Sequence, residues 1–161
     1  MQGRQKRCIR WGLQRTRSED GQAVLETALI TVVMLLLFAG AVDVGRMFYH
    51  YINVTNAARE GARTASRLPC DPALMASRTA IRSAIVAAAV AEAGATGTPL
   101  LAANVTITPD PVAKGCAAAG TPIQVTVAYD YANIFSNLLG SAGVRLTNQA
   151  TMVAFGADMG G

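Results

Sequence analysis

From Ala23 to Val44 the chain is almost continuously apolar, and only Glu26 and Asp43 interrupt it. The uncharged interval between those two carboxylates is sixteen residues. As a helix it spans roughly 24 Å, short of a bilayer core of about 30 Å. Counting from Ala23 to Val44 closes the gap if both carboxylates lie near the interfaces or are neutralised. The pattern then becomes amphipathic without a break. Met47, Phe48, Tyr51, Ile52, Thr55, Ala58, Ala62 and Ala65 follow three-and-four spacing, and most of the polar residues between Arg46 and Arg67 fall on other faces. No proline occurs between Gln22 and Leu68. One helix of roughly 45 residues is predicted, with Gly40, Gly45 and Gly61 as points of weakness and Pro69 as its stop.

A second helix is predicted to begin at Asp71 as cap and Pro72 as first helical residue. It carries Leu74, Ile81, Ile85 and Ala88 as a stripe, with Arg78 and Arg82 solvated and Gly94 as its end. After a Gly, Thr and Pro loop the period changes to two. Val105 and Ile107 alternate with polar neighbours, as do Ile123, Val125, Val127 and Tyr129, so both segments read as half-buried strands. Ile134, Phe135, Leu138 and Leu139 suggest a short helix, and Val144–Phe155 a third strand. The predicted fold class is α+β: a long N-terminal membrane-spanning helix, a second helix and a small antiparallel sheet of about three strands. The expected parts are a basic leader (1–21), an apolar helix (22–68) and an α+β head (69–161).

Charge sharpens the reading of the leader. Of 14 Lys and Arg and 10 Asp and Glu, six basic and two acidic residues precede Gly21, which leaves eight of each beyond it. A basic flank before an apolar run predicts a cytoplasmic N-terminus and an exported head under the positive-inside rule. A nucleic-acid-binding arm is the weaker reading, because the region beyond Gly21 is neutral. Cys8 lies in the leader. Cys70 and Cys116 lie beyond the apolar run beside turn residues, and in an oxidising compartment they form a disulfide; two buried, reduced thiols are the alternative.

Catalytic chemistry finds little support. His50 is the only histidine, and its place among Phe48, Tyr49 and Tyr51 suits a surface or interface residue. The sequence holds no phosphate-binding glycine loop and no clustered zinc spacing. No enzyme activity, metal or cofactor is therefore expected.

Glu26 follows Gly21 by five residues, and Gly-x4-Glu after a basic leader resembles the class III signal of type IV pilin-like proteins. Gln22, in place of the phenylalanine usual in general pilins, points away from that branch. Three further segments, Glu26-Thr27-Ala28-Leu29, Val42-Asp43-Val44-Gly45-Arg46 and Asn56-Ala57-Ala58-Arg59-Glu60-Gly61-Ala62-Arg63, resemble the TadE-like pseudopilins of the tight-adherence (Flp) pilus system. The family often carries a proline in the apolar stretch, where this chain has Ile30-Thr31-Val32. The resemblance implies removal of residues 1–21 by a prepilin peptidase, a mature terminus at Gln22, and Glu26 as an assembly residue. It implies a minor pseudopilin in the cytoplasmic membrane, with the lipid bilayer, other pseudopilins, the Flp pilin and the assembly platform as partners and surface adhesion as the outcome. The alternatives are an ordinary signal peptide cleaved after Ala41 at Ala39-Gly40-Ala41, or an unrelated signal-anchor protein of the envelope.

Overall fold

The computed structural model describes residues 17–68, 70–71, 73–134, 140 and 143–155. Residues 1–16 of the predicted leader, Pro69, Pro72, the segment 135–139 that holds most of the expected short helix, residues 141–142 and the C-terminal 156–161 lie outside them. The protein is α+β: a long N-terminal helix, a second helix and a three-stranded antiparallel sheet. Helix α1 runs Arg17–Arg67. Helix α2 is Met75–Ala95 and a one-turn helix α3 is Pro111–Lys114. The strands are β1 (Val105–Thr108), β2 (Pro122–Tyr131) and β3 (Val144–Val153), in spatial order β1-β2-β3.

Two compact units divide within α1, the first ending at Ala41 and the second beginning at Val42. In the first, the described residues from Arg17 on are helical, and the run from Ala23 is apolar apart from Glu26. The second unites the remainder of α1 with everything that follows, so residues 42–67, predicted as part of the helical segment, pack with the head.

The head's core follows from period matching. Val105 and Ile107 of β1 sit opposite Val127 and Val125 of β2. Asn148, Ala150 and Met152 of β3 oppose Val127, Val125 and Ile123. One face of the sheet therefore presents a short apolar ladder. Against it pack Val54, Ala57, Ala58, Ala62 and Ala65 of α1 and Ile81, Ile85, Val86, Ala89 and Ala93 of α2, all buried. The helical side is built mostly of alanine, which lets backbones approach closely. At Gly61 a Cβ would lie 3.0 Å from Val125 Cγ1 and 3.3 Å from Ala89 Cβ. Gly61, predicted as a point of weakness, is instead where α1 meets both α2 and β2 inside an unbroken helix.

Several boundaries differ from the sequence-based expectation. Helix α2 starts at Met75, not at Asp71, because Asp71 is committed to a turn. Its Oδ1 accepts from the Ala73 amide (2.8 Å) and its carbonyl from the Leu74 amide (3.3 Å). Leu74 becomes the N-cap without a side-chain bond. The helix passes through Gly94 to Ala95, and the reversal falls to Gly97 at φ +74°. Strand β3 stops at Val153, and Asn148 does not interrupt it; its Nδ2 donates to Thr55 Oγ1 on α1 (2.6 Å).

Helix α3 was not expected. Asp110 caps it, accepting from the Val112 amide at 2.8 Å, with Pro111 in the first turn. Arg82, expected to be solvated, donates from Nε to Asp110 Oδ2 at 3.1 Å and ties α2 to this turn. Nearby, Cys70 and Cys116 form a disulfide with Cα atoms 5.6 Å apart. It closes a loop of 46 residues, worth about 4 kcal/mol in the chain-entropy account.

Two outcomes test this packing. Gly61→Leu should destabilise the head by about 2–3 kcal/mol, because the added carbons have nowhere to go; urea unfolding of the full chain in detergent micelles, followed by circular dichroism, measures it. Burial pushes the Asp110 carboxyl upward, but the Val112 amide and Arg82 outweigh it and hold it below the ordinary 3.8. A lowered folded-state value stabilises above the ordinary range, and that contribution disappears as pH falls through the lowered value. Asp110→Asn should therefore flatten the loss of stability as pH falls from about 5 through the lowered value, and an unchanged slope would contradict the assignment.

Candidate functional site

Helix α1 carries the residues singled out from the sequence. Gly21, Gln22 and Glu26 are all helical and exposed. Gln22 and Glu26 are spaced i,i+4, so they are neighbours on one face. Gly21 is the fifth residue of α1, where glycine weakens a helix by roughly 1 kcal/mol relative to alanine.

From Val24 to Phe38 the large apolar side chains point outward on every side. Val24 and Phe38 are each 70% exposed, and none of the large apolar residues between them is buried. A helix apolar all round needs an apolar environment, and α1 is long and apolar enough to cross a membrane. Its hydroxyls are satisfied internally: Thr27 Oγ1 donates to the Ala23 carbonyl (2.9 Å) and Thr31 Oγ1 to the Thr27 carbonyl (2.7 Å). This is the arrangement lipid demands of a polar group. Glu26 is thus the one side chain of this surface whose polar atoms find no bond among the described residues.

Asp43 behaves oppositely. The sequence suggested a carboxylate at a membrane interface or neutralised. The structure buries it, at 6% exposed, and surrounds it with donors. Tyr131 Oη donates to Oδ1 at 2.7 Å, and the Ile134 amide donates to Oδ2 at 2.8 Å. Burial and the adjacent Asp43 carboxylate raise the Tyr131 phenol above 10.0, which keeps it a donor. One carboxylate thereby fastens the end of β2 and the segment after it to α1.

A second set of bonds lies one to three turns further on. Tyr49 Oη donates to the Thr96 carbonyl (2.6 Å), and Asn53 Nδ2 to the same carbonyl (3.2 Å) and to Thr98 Oγ1 (2.9 Å). His50 Nδ1 is 2.9 Å from Thr98 Oγ1. Asn53 donates to that oxygen, and the Thr98 hydroxyl keeps a proton and a second lone pair with which to meet the His50 ring nitrogen. Burial, aided by the Arg46 charge, lowers the His50 pKa and favours the neutral ring. The ring packs 5.2 Å from Tyr129 and 5.4 Å from Tyr131, centroid to centroid. His50 is therefore a half-buried joint between α1, the loop after α2 and β2, where the sequence suggested a surface or interface residue.

The arrangement has two parts, an apolar helix with one carboxylate that finds no bond among the described residues, and a folded head pinned to the continuation of that helix. Sequence reasoning singled out the carboxylate of the first part. It missed Asp43 and His50 as anchors, because their partners are 88 and 48 residues away. Residues 21–63 match the family model described as TadE-like protein. The match takes in Glu26, Asp43 and Gly61 and ends before α2 and the sheet. No curated protein and no solved structure matches the chain.

Asp43→Ala should leave the Tyr131 hydroxyl and the Ile134 amide buried without an acceptor and cost about 2–4 kcal/mol. Hydrogen exchange of the full chain in micelles should show the Ile134 amide losing protection before the β1–β2 ladder does. Equal protection in variant and parent would contradict the anchoring role.

Proposed function

We propose that this chain is a minor pseudopilin of a tight-adherence (Flp, type IVb) pilus, a non-catalytic assembly subunit anchored in the cytoplasmic membrane. The observation that carries the reading is the coincidence, within residues 21–63, of the TadE-like match, the Gly21-to-Glu26 spacing and an apolar helix exposed on all sides. In this reading the leader faces the cytoplasm and the head is exported, where an oxidising compartment maintains the Cys70–Cys116 bond. A prepilin peptidase cuts after Gly21, and the weak helical propensity of glycine eases the local unwinding that cleavage needs.

The chemistry gives Glu26 its role. Cleavage creates an α-amino group on Gln22, mostly protonated near neutral pH at an ordinary pKa of about 7.7–8.0. Glu26, one turn along, accepts that charge from its own chain or from a neighbour. Losing one member of such a pair in an apolar setting costs about 3–5 kcal/mol. A single subunit in lipid carries the carboxylate at a penalty, and a correctly registered neighbour relieves it. The subunit then joins other pseudopilins and the Flp pilin on the assembly platform, in support of surface attachment. The continuity of α1 through Ala39-Gly40-Ala41 weighs against signal-peptide cleavage there.

N-terminal mass spectrometry of the mature protein tests the reading. A terminus at Gln22 is expected, and one at Val42 would replace the proposal with ordinary secretion. Gly21→Ala should block processing. Glu26→Ala should be processed yet assemble poorly, so normal pili from it would refute the pairing argument.

A further inference from the structure

The first residues of the head form an exposed apolar surface that the core does not use. Val44 is 51% exposed and Phe48, one turn later on the same stripe of α1, is 59% exposed. Ile134 and Val144 are each 41% exposed. Asp43 gathers these residues at one end of the head. It binds Tyr131 and the Ile134 amide directly, and Val144 is the β3 residue paired with Tyr131. Phe48 also lines an open apolar cleft of about 220 Å³ with Met47, Tyr51 and Leu146.

The opposite end of the sheet is remote from this surface. Strand β3 follows α1 in the same direction: Tyr131 and Val144 lie by Asp43, Asn148 reaches Thr55, and the Phe155 amide donates to the Ser66 carbonyl at 3.0 Å. Val153 therefore lies about 30 Å from Val144 along the strand.

Charge identifies the occupant of the Asp43 end. Arg46 is exposed between Val44 and Phe48, and Arg145 is exposed beside Val144. The acidic groups facing the surface are Asp43, which is buried and fully bonded, and Asp130, 3.9 Å from Arg145. The exposed groups thus sum to one excess positive charge. Aliphatic and aromatic side chains beside arginines, directly after a run able to cross a membrane, match the phospholipid headgroup layer, where aromatic rings partition and cations meet phosphate.

We infer that the Asp43 end of the head is a membrane-seating face, with Val44, Phe48, Ile134 and Val144 in the headgroup region of the leaflet and Arg46 and Arg145 at lipid phosphates. The inference rests on the membrane-inserted reading above and adds the orientation of the head: its β3 start is down and its Val153 end is away from the bilayer. The seat holds an unassembled subunit at the surface, and joining a pilus requires lifting it.

Depth-dependent fluorescence quenching tests it on the full, uncleaved chain. In a Trp11→Phe background, Met34→Trp, Val144→Trp and Val153→Trp are reconstituted separately into bilayers of phosphatidylcholine and phosphatidylglycerol. The quencher is phosphatidylcholine brominated high on its acyl chains. The expected result is emission reduced to about half for Met34→Trp and Val144→Trp, with Val153→Trp unquenched. Quenching at 34 without quenching at 144 overturns the seat and leaves the membrane reading standing. Equal quenching at 144 and 153 also overturns it, since the head would then have no preferred end. No quenching at 34 removes the membrane reading and this inference together. Arg46→Glu with Arg145→Glu should at least halve the quenching at 144 and leave that at 34 intact; unchanged quenching at 144 would overturn the phosphate contact.

Discussion

Helix α1 must be compatible with two environments, and the changeover is confined to a few residues around Val42-Asp43-Val44. From Val24 to Phe38 every large apolar side chain is turned outward. After Val44 one stripe is buried in the head and the other faces become polar or aromatic. A single helix cannot satisfy both demands by propensity, because apolar residues all round favour an apolar solvent whereas the head's stripe is one-sided. Asp43 settles the transition. It is the first buried polar side chain among the described ones of α1, and its two carboxylate oxygens take donors from β2 and the residues beyond it. Its burial is tolerated because both oxygens are bonded, and the same bonds set where the sheet meets the helix.

Downstream of Asp43 the packing is alanine-rich, and that shapes the energetics. Ala57, Ala58, Ala62 and Ala65 bury little area each, so α1 contributes a smaller hydrophobic term than a leucine-rich stripe would. What alanine and Gly61 allow is close approach, with the backbone of α1 nearly touching Val125 and Ala89. Directional bonds carry correspondingly more of the stability. The Tyr49, His50 and Asn53 contacts to Thr96 and Thr98 fix the loop after α2. The Cys70–Cys116 bond restrains the chain on leaving α1.

The elements that rest on period were legible in the sequence. The apolar run with its amphipathic continuation gave α1, and strict alternation at Val105–Ile107 and Ile123–Val127 gave two strands with the correct buried face. What could not be read were contacts between segments distant along the chain. Nothing near Asp43 announces Tyr131, and nothing near Arg82 announces Asp110. The Asp71-Pro72 pair resembles a helix start because one side chain serves both a cap and a turn, and the choice depended on Ser77 and Leu74. Of the candidate site, Gly21, Gln22 and Glu26 were singled out by their spacing and by the resemblance it carries. The anchoring half was not, because it exists only after folding.

The two carboxylates of α1 clarify each other. Both interrupt an apolar sequence, and sixteen uncharged residues separate them. Asp43 is satisfied by its own chain, through groups that the head supplies. Glu26 lies on a surface where Thr27 and Thr31 are already bonded to backbone and no described side chain reaches it. A carboxylate completed by the fold makes the fold conditional on it. A carboxylate left incomplete on an apolar helix instead ties its stabilisation to another molecule or to a newly made amine. The same residue chemistry thus serves folding at one position and, in the proposed assembly, association at the other, and the difference is whether the fold brings a donor within reach.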